Sequence, residues 1–344
     1  MAKYLDYAGL QYLWAKIKNY VSTQPLGANV RYDQQTLTSA QQAQARKNIG
    51  AGGSNDNLLD NAYFVGGGSQ LWDGAFPINQ RGITFYSLSY GNIFDRWHIQ
   101  GSATATCTLN ANGIAFAADT ENCGLSQTIP AGRIVDGKTY TLSVMDTARN
   151  IYSGSRVLNT NDSWQHFNLG LSAFGWYNPC YVAANGQTNV YILDRTGSGV
   201  SASIGIAAAK LELGTISTLA NDVPPDFGAE LAKCQRRLFR VSPMGTSQRG
   251  YAGFGSANSG KNILVFVPTP ATLAAQPTVS FSNCNAYNYV AGGSIAISSI
   301  SIDSWTQNGV FLSCTPSDAS QVVQYQPYVL RIAQGGYLQF SAEL

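Results

Sequence analysis

The sequence predicts a mainly β protein: short N-terminal helices, then a jelly-roll-like β-sandwich, then a second, smaller C-terminal β-sandwich. Three observations carry that reading. Charged residues make up 12% of the 344, about half the usual share, and the 35 glycines and abundant Ser, Thr, Asn and Gln suit sheets with many turns. Short runs alternate apolar and polar side chains between Asn-Gly and Asp-Gly punctuation. Helical periodicity is confined to three short stretches.

The first stretch lies in residues 1–24. Leu10, Leu13, Trp14, Ile17 and Val21 follow i, i+3, i+4, i+7, i+11, one stripe of an amphipathic helix. A helix this short is marginal alone, so its apolar face is expected to dock on another subunit or on copies of itself. Within 25–54, residues 36–50 read as a second helix, capped by Thr38 with Gln41 three residues on and stopped by Gly50. Its faces are nearly all polar, which suits a collar between subunits. Gly50 to Ser54 then reads as a hinge.

Residues 55–240 carry the predicted jelly roll. Strands are expected over 139–145, 189–193 and 202–206, and a closing amphipathic helix over 226–240 with Leu231, Cys234 and Leu238 on one face. Residues 241–344 form the tip domain, with strands over 263–267, 278–281, 294–302, 310–314, 328–332 and 337–340. In 294–302 the alternation changes phase between Ile297 and Ile300, which requires a bulge near Ser298 and Ser299.

A net charge of +2 supplies no field for nucleic acid or an anionic membrane surface. No window resembles a membrane span, and the N-terminus lacks the three-part pattern of a signal peptide. The chain is therefore expected to be made and kept in a cytoplasm or released by lysis. The six cysteines are scattered without CxxC or clustered histidines. Buried reduced thiols are favoured over a Cys107–Cys123 bridge, and no metal or cofactor is expected.

Two segments imitate a phosphate-binding loop. Gly132, Gly137, Lys138 and Thr139 fit GxxxxGK(S/T), and Gly255, Gly260 and Lys261 nearly do, with Asn262 in the last place. Both are followed by strand patterns where a helix N-terminus is needed, so nucleotide binding is not expected. His98 and His166 are the only histidines, and no GxSxG elbow is present. A pair of carboxylates acting on a glycosidic bond stays open.

Aromatic residues are the best handle on binding, because sugar C–H faces stack on rings while hydroxyls bond to a polar rim. Trp72, Phe85, Tyr86 and Tyr90 lie in a Gly-rich stretch, Trp176, Tyr177 and Tyr181 flank Asn178-Pro179, and Tyr287, Tyr289 and Trp305 lie in or beside turns. Trp97 and Trp164 fall inside strand patterns and are assigned to the core.

Residues 35–51, QTLTSAQQAQARKNIGA, resemble the recurrent QTLTxAQxxQARxNIGA element of bacteriophage tail-fibre and receptor-binding proteins. Asn57–Asn61, Asp95–Trp97, Leu125–Pro130, Lys210–Gly214 and Pro224–Arg236 are similar to segments of the same proteins, and the middle domain resembles their carbohydrate-binding-module-like jelly rolls. The resemblance implies a non-enzymatic homotrimer on the virion tail, assembled in the host cytoplasm. Its N-terminus would join a tail or baseplate protein, with Leu10, Leu13, Trp14, Ile17 and Val21 at the threefold axis. Its distal 241–344 would meet a bacterial surface polysaccharide or protein. A glycan-cleaving depolymerase, a structural spacer and the fibre of a phage-tail-like bacteriocin are the alternatives.

Overall fold

A computed structural model describes residues 11–16, 56–65, 77–118, 123–195, 202–222, 224–243 and 249–343. The chain divides into two compact units, residues 1–53 and 54–344. In the first, residues 11–16 are helical, with Leu13 and Trp14 on the surface. Leu10, Ile17, Val21 and the helix expected over 36–50 lie outside the described residues. No helix among those described is long and apolar enough to cross a membrane.

The second unit is built from strands. Its first module contains β1 (Phe85–Leu88), β2 (Gly91–Asn92), β3 (His98–Gly101), β4 (Ala105–Asn110), β5 (Gly113–Ala118), β6 (Cys123–Ile129), β7 (Lys138–Asp146), β8 (Ile151–Leu158), β9 (Ser163–Phe167), β10 (Asn178–Val182), β11 (Thr188–Asp194) and β12 (Ala202–Leu213). They form two six-stranded sheets, in the orders β1-β4-β5-β12-β7-β8 and β2-β3-β6-β11-β10-β9. Both sheets contribute alternate residues to one core that holds Phe64, Phe94, Trp97, Phe116, Trp176 and Leu211. The predicted strands at 139–145, 189–193 and 202–206 fall within β7, β11 and β12.

The second module contains β13 (Leu238–Val241), β14 (Gly250–Ala257), β15 (Ile263–Pro268), β16 (Thr278–Asn288), β17 (Ser294–Thr306), β18 (Gly309–Pro316) and β19 (Pro327–Ser341). They lie in the order β13-β19-β14-β15-β18-β17-β16, and β16 pairs back onto β19. This sheet closes on itself as a barrel around Val265, Leu312, Leu330, Ile332 and Phe340. The bulge required in 294–302 is present: register shifts between Ile297 and Ser299, which keeps Ile295, Ile297 and Ile300 all buried. The strands expected over 328–332 and 337–340 are one continuous strand, β19, that passes through Gly335 at φ 71°. Its first half pairs with β14, its second half with β13, and β16 runs along the other edge.

The helix expected over 226–240 is shorter. It spans Phe227–Gln235, starts where the Asp226 carboxylate accepts the Ala229 N–H at 2.7 Å, and buries Glu230 and Cys234. Leu238 is not on its face: it opens β13 opposite Ser341, because the backbone turns at Arg236 and Arg237 and gains a strand partner there.

Of the segments that carry the family resemblance, residues 35–51 lie outside the described residues, and those between 57 and 236 meet in space. Asn57 donates to the Ala209 carbonyl and accepts from Leu59 and Leu211 N–H. Asp60 exchanges two backbone hydrogen bonds with the Gln127 amide and pairs with Arg96 at 3.1 Å. The Asn61 side-chain amide clamps the backbone of Ile78 and Asp95, and the Asn61 main-chain carbonyl accepts the Trp97 indole N–H. Glu230 accepts the Asn61 N–H, and Lys210, fully buried, donates to Asp222 and Thr218. These residues satisfy one another's polar groups inside the fold.

The same region joins the modules. Gln80 donates to the Leu238 carbonyl at the start of β13, and Glu343, just past β19, binds Arg81 and the Arg96 N–H. Asp95 accepts from Gln80 twice and lies 3.7 Å from Arg81. Burial pushes its carboxyl up to about 7 against those favourable partners.

Candidate functional site

In β9 the residues Ser163, Gln165 and Phe167 alternate with Trp164 and His166. Gln165 and Phe167 take the core side, where Gln165 bonds through both its amide atoms to the Asn159 backbone. That satisfies a buried amide and turns Trp164 outward, 55% exposed. Its assignment to the core is therefore corrected, whereas Trp97 is fully buried. The register places Tyr181 directly opposite Trp164, with Asn189 next along and Tyr191 on the same outer face. The Trp164 ring centre lies 5.4 Å from that of Tyr181 and 5.9 Å from that of Tyr191.

This aromatic row has polar neighbours. Asn189 accepts from the Thr128 hydroxyl at 2.6 Å, which leaves its amide hydrogens for another acceptor. Ser126 lies between Tyr191 and His98 across the sheet, and its buried hydroxyl has no partner among the described residues. Tyr191 leans over Gly124, and burial beside Asp194 pushes its phenol up to about 12, so the ring presents a neutral hydroxyl. Burial also lowers the pKa of His98.

Of the other predicted residues of this module, Tyr90 lies near Tyr191 and the rest are placed elsewhere. Tyr86 is buried, with its hydroxyl on Asn79, because β1 points it inward while Phe85 faces out. Trp176 is 1% exposed, packed on Phe116 and beneath the Arg195 guanidinium. Both are core residues, and their assignment to a ligand surface is corrected. Tyr177 and Tyr90 are exposed. Trp72 lies outside the described residues.

In the barrel, Tyr287 and Tyr289 come together edge to face at 5.3 Å. Trp305 lies at the far end of β17, opposite Val310, and does not join them. The residue the sequence reading missed is Arg331 on β19. Its cross-strand neighbours are Tyr251 on β14 and Asn285 on β16, and its guanidinium carbon lies 3.4 Å from the Tyr287 ring centre. The aromatic surface continues across the barrel through Phe254, Phe266 and Phe311, which occupy successive paired positions on β14, β15 and β18.

No protein-family model, curated protein or solved structure matches this chain.

The remaining candidate chemistry does not assemble. Lys138 opens β7, and Lys261 sits in the turn between β14 and β15, so neither phosphate-loop imitation ends on a helix N-terminus. A cleft of about 260 Å³ is lined by Tyr63, Met145, Arg149, Leu219 and Asp222. Its one carboxylate, Asp222, holds Lys210 at 2.7 Å. Among the described residues no group of His, Cys, Asp and Glu is placed to hold a metal ion. All six cysteines are buried and unbridged, and burial pushes the Cys107 and Cys180 thiols up to about 12.

Proposed function

We propose that this chain is a non-enzymatic, glycan-recognising protein of the tail-fibre kind, working as a homotrimer on a phage tail and binding a bacterial surface polysaccharide. The observation that carries the reading is the outward Trp164 ring, flanked by the half-buried Tyr181 and resting against the buried Tyr191. An indole more than half exposed on a sheet face adds nothing to the core, yet it offers a flat surface to the C–H face of a pyranose. Asn189 beside it offers amide hydrogens to ring hydroxyls. The resemblance of residues 35–51 to tail fibres supplies the setting, and repeated sites on a trimer would add avidity on a repeating polymer.

The test is binding of the full chain to an array of bacterial surface polysaccharides, beside Trp164→Ala. The exposed position predicts an unchanged fold, and loss of one stacked ring predicts a drop in affinity of roughly tenfold, from about 1–1.5 kcal/mol. Equal binding by Trp164→Ala would falsify the platform. New reducing ends released from a bound polysaccharide would replace this reading with a depolymerase.

A further inference from the structure

We propose that Arg331 anchors a second carbohydrate site, on the outer face of the barrel, that takes a carboxylated sugar such as a uronic acid unit of an acidic polysaccharide. The proposal rests on the glycan-binding reading above but uses a different surface and a different chemistry.

Alternation along β19 sends Tyr328, Leu330 and Ile332 into the barrel core and Arg331 to the outer face. There the residue is 7% exposed. The faces of its guanidinium are occupied: Tyr287 stacks at 3.4 Å and Tyr251 lies at 5.4 Å. Stacking satisfies the charge through the ring quadrupoles, but it uses none of the in-plane N–H donors. Among the described residues no carboxylate lies within ion-pair distance of Arg331, and its buried Nε has no acceptor. The neighbouring segment 244–248, which precedes β14, contains no acidic residue. A mostly buried cation with an unpaired buried donor is costly to keep, and a planar carboxylate in the guanidinium plane is the acceptor that fits its fork geometry.

The surroundings point to a sugar as the carrier of that carboxylate. Tyr251, beside the cation, and Tyr289, which packs edge to face on the stacked Tyr287, are each more than half exposed and offer flat faces to pyranose rings. Asn285 accepts from Ser294 at 2.8 Å, so its amide hydrogens remain for a ring hydroxyl.

The experiment compares binding of the full chain to tetragalacturonate and to its methyl ester, which has the same rings without the charge. The acid is expected to bind at least tenfold more tightly, and added salt to weaken the acid alone. Arg331→Gln is expected to abolish the difference, Arg331→Lys to retain part of it, and Trp164→Ala to leave it intact. Should Arg331→Gln not fold, Tyr251→Ala, at an exposed position, is expected to weaken acid binding severalfold. Equal affinity for acid and ester, no binding of either, an unchanged preference in Arg331→Gln or Tyr251→Ala, or displacement by acetate at equal carboxylate concentration would overturn the proposal. Loss of the acid preference in Trp164→Ala would move it to the other module and overturn it too. Failure of neutral glycans to bind at Trp164 would remove the general reading while leaving this result standing on its own.

Discussion

The packing of Tyr191 beneath Trp164 depends on Gly124 having no side chain. A Cβ built there falls 2.6 Å from Cδ1 of Tyr191 and 2.9 Å from both the Asp194 carboxylate and the Leu193 carbonyl. Gly124→Ala is therefore expected to displace Tyr191 and to cost about 1–3 kcal/mol of stability, read by denaturant unfolding together with glycan affinity. Unchanged values in both would show that Tyr191 has room to move. Asp95 gives a pH-dependent prediction. Its folded pKa of about 7 lies above its ordinary value, so between about pH 4 and 7 the native state holds a proton that the unfolded chain has lost. Its contribution to stability is therefore greatest at low pH and declines as pH rises through 7. His98, whose pKa burial lowers, acts in the opposite direction below about 6.5. The difference between wild type and Asp95→Asn isolates the carboxyl: melting of the variant is expected to decline less from pH 5 to 8, and parallel curves would refute the assignment. At this scale the sequence was only half legible. Alternation in β9 separates two faces, but which one is core was decided by Gln165 finding backbone partners at Asn159, a contact with no sequence signature.

At the scale of elements, patterns with local causes were readable. The phase change across Ser298 announced its bulge. What was not readable depended on distant partners. The closing helix was expected to run to 240 because Leu231, Cys234 and Leu238 fit one face. It stops at Gln235 because Leu238 pairs with Ser341, more than a hundred residues away. Likewise two strand patterns around Gly335 and Gly336 became one strand only because β16 accompanies both halves. The helix start is local, since Asp226 caps Ala229 at 2.7 Å. Asp226→Ala is expected to cost about 1 kcal/mol, read as a lowered melting midpoint. Asp226→Ser should recover most of it, and failure to do so would mean that the carboxylate acts other than as a cap.

At the scale of the whole molecule, the recognisable motifs between residues 57 and 130 build the frame and not the proposed binding surfaces. Asp60, Asn61, Asp95, Arg96 and Gln127 answer one another's hydrogen bonds beside the junction of the two modules. Trp164, Tyr251 and Arg331 carry no such motif, which suits a fixed scaffold presenting surfaces free to vary. The apolar stripe in the first unit leads to an assembly prediction: light scattering of the full chain at micromolar concentration is expected to give a trimer mass. Leu13→Lys combined with Ile17→Lys is expected to reduce that mass without changing the melting of the β modules, which have separate cores. A monomeric wild type would sink the trimer.

The position of β19 bears on how the chain is made. It is the final strand of the barrel, yet it supplies partners to β13, β14 and β16 at once. During synthesis the middle module can complete both of its sheets while the three barrel strands still wait with open edges. Such edges are templates for pairing with neighbouring chains, and long-range closure of this kind is slow. The segment that closes the barrel also carries Glu343, which binds Arg81 and Arg96 of the earlier module. Joining of the modules and completion of the barrel thus belong to one late event. Nascent chains halted before residue 327 should carry a protease-resistant middle module and a sensitive barrel, which becomes resistant once β19 emerges.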